Sequence, residues 1–478
     1  MADQPHLNYI DGEWFEPAQK EYLETIDPAT EEAIGRFARS TGEDVDAAAK
    51  AAHRATQGDW PALTPAERGT ALFRLADVVE ASRDRLARIE TLDVGKPLRD
   101  SLGDMDGVVG TLRYNAGAAD KIEGITVPLG RDVVDYTSLE PMGVTAHIVP
   151  WNFPLGMAMR SLAPALAAGC TCVMKPAEQS PLSALAFAEL IDKAGIPPGV
   201  INVVTGLGEE AGDALVRHPL VRGVTFTGSV ETGRKIMSAA APGIKPVVLE
   251  LGGKNPMIVM ADADLDRAVE DATMASFENA GQVCSSSSRY LLAPEIRKEF
   301  IERLCARAAE LTVGPGLEDP AVGPVVSREQ YDKVRGHVVG GIAAGARVRQ
   351  GGGRPSHLNR GYFVEPTIFD RVTPDMTVAR EEIFGPVAVA MDISSEDDAV
   401  EIANGLGFGL AAGVYTQDIS RALRTAQRLE HGSVWVNGWW MGGVQAPTGG
   451  MKESGIGRER GLAGIRNYLE IKNVAVRI

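Results

Sequence analysis

Cys284 lies in Asn279-Ala-Gly-Gln-Val-Cys-Ser-Ser-Ser-Ser-Arg289, behind a flexible Ala-Gly and among small hydroxyl residues. A thiolate is one of the strongest side-chain nucleophiles near neutral pH. Small neighbours leave room for a carbonyl carbon to reach the sulfur. The same stretch also reads as a buried structural cysteine, the commoner fate of a free thiol. Two other positions supply groups that carbonyl addition needs. Asn152, in Pro150-Trp-Asn-Phe-Pro154, offers an uncharged amide to a developing oxyanion, although a turn asparagine reads the same way. Glu250 ends the apolar run Val247-Val-Leu-Glu and precedes Gly252-Gly253. A carboxyl at the end of a buried strand loses hydration, so its pKa rises towards that of a useful general base. A salt-bridged structural glutamate is the alternative there.

These residues need a scaffold, and the hydrophobic pattern describes one. Thr64-Pro65-Ala66-Glu67 has the form of a helix start, and Leu72, Leu75, Ala76 and Val79 share one face of the helix that follows. From about residue 143, strands alternate with helices. Strands are expected at 144–149, 170–174, 201–204 and 224–227, with helices at 157–168, after Ser180-Pro181 up to Gly195, and at 234–241. This alternation predicts an α/β fold with a mainly parallel sheet covered on both faces. A second α/β stretch runs from Gly253 to about Met451, with strands at 256–260, 387–391 and 432–436. Two segments, 123–139 and 469–478, alternate polar and apolar residues and read as separate edge strands open to pairing.

Composition narrows the function. With 478 residues the chain exceeds one simple core and calls for two or three domains. A net charge of -16 without a basic run argues against nucleic acid. No 18-residue apolar run predicts a membrane span, and the first residues lack the basic start and apolar stretch of a signal peptide. Cys170, Cys172, Cys284 and Cys305 follow no pairing pattern, so reduced thiols and a cytoplasmic setting are expected. The seven histidines form no metal-binding pair, so no metal is assigned.

The stretches around Asn152, Glu250 and Cys284, together with Glu381-Glu-Ile-Phe-Gly-Pro-Val387, occur in the order and at the separations of the aldehyde dehydrogenase superfamily. The chain resembles that family over nearly its whole length. The resemblance implies a Rossmann-like NAD-binding domain at 1–119 and 142–252 and an α/β catalytic domain at 253–453. It also implies a small β oligomerisation domain from 120–141 and 454–478, and a homodimer or homotetramer. The implied reaction oxidises a small aldehyde to its acid with NAD and water. In it Cys284 forms a thiohemiacetal and then a thioester, Asn152 and the Cys284 backbone N–H hold the oxyanion, and Glu250 activates the water. The presence of Glu250 speaks against a CoA-acylating member.

The strict G-x-G-x-x-G fingerprint is absent; Gly228-Ser-Val-Glu-Thr-Gly233 joins a strand to a helix instead. By resemblance Gly228 and Ser229 lie beside the pyrophosphate, and Lys175 and Glu178 hold the adenosine ribose. Glu178 would repel a 2′-phosphate, favouring NAD, with NADP the weaker alternative. Glu382 would hold the nicotinamide ribose, with Phe384 and Trp151 nearby. Glu459 matches a position that relays a proton outward, but the lysine that some relatives place near it is Ser161 here. The substrate is less legible. Arg160, eight residues after Asn152, occupies a tunnel position where succinate semialdehyde dehydrogenases carry an arginine for the distal carboxylate. An ω-acid semialdehyde is therefore the alternative substrate. Glu278 and Gly442 stand where those enzymes complete the clamp, so Arg160 and Glu278 are also candidates to pair with each other. Trp440, in Trp439-Trp440-Met441, offers an aromatic wall.

Overall fold

The computed structural model describes residues 4–478; Met1-Ala-Asp3, part of the segment read as lacking a signal, lies outside the described residues. The first sheet has a parallel core in the order Ile201–Val203, Thr171–Lys175, Val144–Ile148, Val221–Thr227, Val247–Glu250. Asn8–Ile10 pairs antiparallel on one edge, and Gly455–Ile456 pairs antiparallel with Val247–Glu250 on the other. The segment 454–478 thus contributes to this sheet as well as to the small one below.

The core strands are buried along their lengths, as expected of strands covered on both faces. One covering helix, Pro154–Ala168, begins three residues before the position expected from the sequence. Pro154 fits a first turn, where no N–H is needed, and Gly169 ends the helix in the left-handed region. Thr64 caps Pro65–Ala81, and Glu67 returns the hydrogen bond to the cap as the sequence predicts.

The second sheet runs Arg347–Gln350, Thr367–Asp370, Val387–Asp392, Ser287–Leu292, Asn255–Val259, Ala411–Tyr415, Ser433–Val436, parallel except at the first pair. A third, antiparallel sheet joins Leu469–Arg477 to Val133–Pro141 and Thr126–Val127, matching the two alternating segments. The hairpin Tyr22–Asp27 with Glu32–Ala38 and the helix Gly42–Ala55 carry weaker sequence signals and were not among the expected elements.

The sheets meet end to end. The first presents the carboxyl ends of its strands, at Ile148, Lys175, Thr227 and Glu250, which is where open α/β sheets bind ligands. The second presents amino ends: Gly253-Lys254, Cys284 to Ser286, and Glu382 to Phe384 lead directly into its strands.

The approach to Cys284 is unusual. Asn279, Ala280 and Gly281 have φ of 47°, 55° and 69°, three left-handed residues in succession. An alanine there costs roughly 1–2 kcal/mol. A Cβ at Gly281 would lie 2.2 Å from the Gly385 carbonyl oxygen and 2.5 Å from its carbon. Gly281→Ala should therefore destabilise the fold by about 1–3 kcal/mol and misplace Cys284. A thermal midpoint and a Cys284 alkylation rate both equal to wild type would show that the loop tolerates a side chain.

Candidate active site

Two cavities meet at the junction of the sheets. One, of about 410 Å³, runs between the helix Leu98–Ala118 and the loop around Trp440. The other, of about 170 Å³, is lined by Trp151, Asn152, Gly228, Ser229, Glu382 and Phe384. Cys284, Glu250 and Met157 line both. A molecule in either cavity therefore reaches the same thiol and the same carboxyl.

The nucleophile loop is held by side-chain amides. Asn152 Nδ2 donates to the Gln282 carbonyl at 2.8 Å, and Asn279 Nδ2 donates to the Asn152 carbonyl at 3.0 Å. Gln282 Nε2 donates back to the Asn279 carbonyl at 3.0 Å, while its Oε1 accepts from the Val326 N–H at 2.9 Å. From the second sheet, Asn255 Nδ2 donates to the carbonyls of Cys284 and Ser286, each at 2.8 Å. Asn255 Oδ1 accepts from the Ala411 N–H at 3.0 Å. Asn152, Asn279, Gln282 and Asn255 are all buried. Cys284 is thus positioned from both sheets.

Cys284 is only partly buried and makes no disulfide. Loss of hydration pushes its thiol up to about 11, Arg160 opposes that rise, and Glu250 and Glu382 add to it. Cys170 and Cys172 are fully buried in the first core, and Cys305 packs beside the second. Glu250 is buried, with Oε1 lacking a partner. Desolvation, reinforced by Glu459, raises its pKa to about 8 against the pull of Arg160. Glu278 lines the larger cavity, raised to about 7 by burial and by Asp100 and Asp104.

Arg160 does not pair with Glu278. Its Nη2 lies 2.6 Å from Glu459 Oε2 and 3.9 Å from Glu250 Oε2, and Nη1 contacts the Met157 sulfur at 3.1 Å. The alternative in which Arg160 is free for a substrate carboxylate meets this ion pair. Ser161 donates to the Ala158 carbonyl within its own helix, so Arg160 supplies the charge beside Glu459. Trp440 lines the larger cavity and donates from Nε1 to Ser285 Oγ at 2.8 Å.

The lining of the smaller cavity suits part of a dinucleotide. Ser229 caps the helix Val230–Ala240 through the Thr232 N–H, so the positive helix end faces the cavity. A Cβ at Gly228 would fall 2.4 Å from the Phe226 ring, which keeps the backbone bare at that turn. Lys175 Nζ donates to Glu178 Oε2 at 2.9 Å. Glu178 lies in a neighbouring hollow of about 240 Å³ rather than in the cavity itself. Glu382 Oε1 accepts from the Gly253 N–H at 2.9 Å, and the Trp151 and Phe384 rings meet edge to face at 5.2 Å.

The sequence reading did not single out several lining residues. Gln330 and Lys333, from the helix Arg328–Ala343, close the smaller cavity; Asp104, Phe153, Trp435 and Arg460 line the larger. Apart from Phe153, which sits in the stretch Pro150–Pro154, they belong to no local motif, and only the packing of the two sheets collects them.

The sequence profile of the "Aldehyde dehydrogenase family" matches residues 14–474. The chain is 45% identical to "Putative aldehyde dehydrogenase DhaS" of Bacillus subtilis, over 98% of this chain and 95% of that one. It is 43% identical to the chloroplastic betaine aldehyde dehydrogenase of Beta vulgaris, over 98% and 95%. The solved NAD+ complex of an aldehyde dehydrogenase from Bacillus cereus superimposes with a TM-score of 0.98 at 43% identity, covering 100% of this chain and 97% of that one. On sequence, fold and extent alike, the chain belongs to the aldehyde dehydrogenase family.

Proposed function

We propose that the protein oxidises a small aldehyde to its carboxylic acid with NAD and water, through a thioester on Cys284. The observation that carries this reading is the shared wall: Cys284 and Glu250 face both the substrate-sized and the cofactor-sized cavity. In the first half-reaction the Cys284 sulfur adds to the aldehyde carbon, while Asn152 offers its amide to the carbonyl oxygen. NAD supplies the hydride acceptor when bound. In the second half, Glu250 takes a proton from water, the hydroxyl oxygen bonds to the acyl carbon, and the carbon–sulfur bond breaks to return the thiolate. The raised pKa of Cys284 means that the resting thiol holds its proton near neutral pH.

The first sheet and its helices form the NAD-binding unit of this reading, and the second carries the nucleophile. The small third sheet serves assembly. Its exposed Tyr136, Ile471 and Val476 would be covered in a homodimer or homotetramer. The rings of Phe153, Trp435 and Trp440 give the larger cavity apolar walls, and Arg160 is engaged by Glu459. Both features favour an aldehyde with an uncharged far end over an ω-acid semialdehyde. Related proteins carry names as different as betaine aldehyde dehydrogenase and hydroxyisobutyraldehyde dehydrogenase.

Cys284→Ser should abolish oxidation while NAD still binds, because a serine without a histidine base is a far weaker nucleophile. Retention of more than about a tenth of wild-type turnover would reject Cys284 as the nucleophile. Glu250→Gln should give a stoichiometric burst of NADH without steady turnover, read by stopped flow and by an acyl adduct in the mass spectrum. In the wild type, a base with a pKa of about 8 is mostly protonated at pH 7. The deacylation rate should therefore rise close to tenfold per unit below about pH 8 and level off above it. A rate flat from pH 6 to 9 would assign the base elsewhere. Replacing Glu178 with Gln should narrow the preference for NAD over NADP roughly 10- to 100-fold, as removal of one repulsive carboxylate contact implies. Equal kcat/KM for the two cofactors in the wild type would refute the role of Glu178.

A further inference from the structure

The tunnel contains a buried three-residue charge cluster whose arginine has no role in the reaction steps above. Arg160, Glu250 and Glu459 have side-chain exposures of 11%, 5% and 3%. They come from three elements: the helix Pro154–Ala168, the end of the strand Val247–Glu250, and the segment after Gly455–Ile456. A single nitrogen, Arg160 Nη2, makes both approaches, at 2.6 Å to Glu459 and 3.9 Å to Glu250. Two carboxylates sharing one buried guanidinium cannot both ionise freely, since like charges at low dielectric raise one another's proton affinity. The closer carboxylate, Glu459, takes the ion pair. Glu250, at the longer distance, is left to exchange a proton.

We propose that Arg160 is a positioning residue for the hydrolytic half-reaction: through Nη2 it pairs with Glu459 and sets the pH at which Glu250 accepts the proton of water. This inference rests on the reading of Glu250 as the base. Other charged groups facing Glu250 are Arg458 and Arg460 from the C-terminal segment and Cys284 from the nucleophile loop. Arg458 Nη1 is engaged by the carbonyls of Gly450 and Gly457, and Arg460 lines the larger cavity. Arg160 is distinguished from both by its direct approach to the two carboxylates. An arginine at a tunnel wall usually invites the reading of a substrate anchor. Here its Nη2 is already occupied by protein carboxylates.

The two partners predict shifts of opposite sign. Arg160→Met removes the cation that approaches both carboxylates directly, so the ascending limb of the deacylation rate should move up by about one pH unit or more. Arg160→Lys should restore most of it. Glu459→Gln removes the competing carboxylate and leaves Arg160 to Glu250, so the same limb should move down. Because Arg160→Met strands a buried glutamate and is the variant most exposed to misfolding, Glu459→Gln and the double variant provide the measurement independently. KM for pentanal and for succinate semialdehyde should change together in Arg160→Met. Limbs that stay in place in Glu459→Gln and Arg160→Met, or a KM rise confined to succinate semialdehyde, would overturn the proposal, the latter returning Arg160 to substrate binding. The Glu250→Gln burst separates the two levels. If the burst is absent, the base assignment itself fails; if it appears but neither limb moves, only the role of Arg160 fails.

Discussion

The site depends on a loop that would not hold its shape alone. Three left-handed residues precede Cys284, and the alanine among them costs roughly 1–2 kcal/mol. The amides of Asn152, Asn279 and Gln282 offset that cost by tying the loop to the first sheet and to the Val326 backbone. Each such bond contributes a net of about 1 kcal/mol, but breaking one leaves a buried polar group without a partner, which costs more than the bond contributes. Asn152 therefore has two consequences. Its Nδ2 engages the nucleophile loop through the Gln282 carbonyl, and it also lines the cavity where an oxyanion would form.

Electrostatics at the junction follow from burial. Arg160, Glu250 and Glu459 are buried, and charged side chains at such depth persist in pairs. Arg160 with Glu459 is one such pair. Glu250 and Cys284 lack so close a partner, and both are held towards their neutral forms. A second buried cluster lies beyond the tunnel wall. Lys96 bridges Glu90 and Asp104 and sits 4.4 Å from the centre of the Phe153 ring. That cluster contributes Asp104 to a wall of the larger cavity, where burial first, and then Asp100 and Asp104, raise the pKa of Glu278.

The first sheet brings the carboxyl ends of its strands to a point where the second brings its amino ends. Thr227 lies in register with Glu250, and Ile148 with Lys175, so one strand-end row carries Asn152, Lys175, Gly228 and Glu250 on or just beyond it. Parallel pairing makes this arrangement possible, because every strand in the row ends on the same side. The antiparallel strand Gly455–Ile456 then delivers Glu459 and Arg460 to the same edge from the far end of the chain.

The local signals in the sequence were strong where one segment contains the whole cause. Alternation of apolar strands and helices, the cap at Thr64, the stop at Gly195, and the small residues around Cys284 are written in consecutive residues. The family resemblance added the expected roles of Cys284, Glu250 and Asn152, and the structure brings all three to one junction. The partner of Arg160 was beyond that reach. Arg160, Glu250 and Glu459 are separated by 90 and 209 residues in the chain, and nothing near any of them announces the others. Distance between side chains is a property of packing, and the energy of a charge depends on how much water that packing removes. The sequence determined which groups were available for carbonyl chemistry; the meeting of the two sheets decided which charges were paired and which were left free to react.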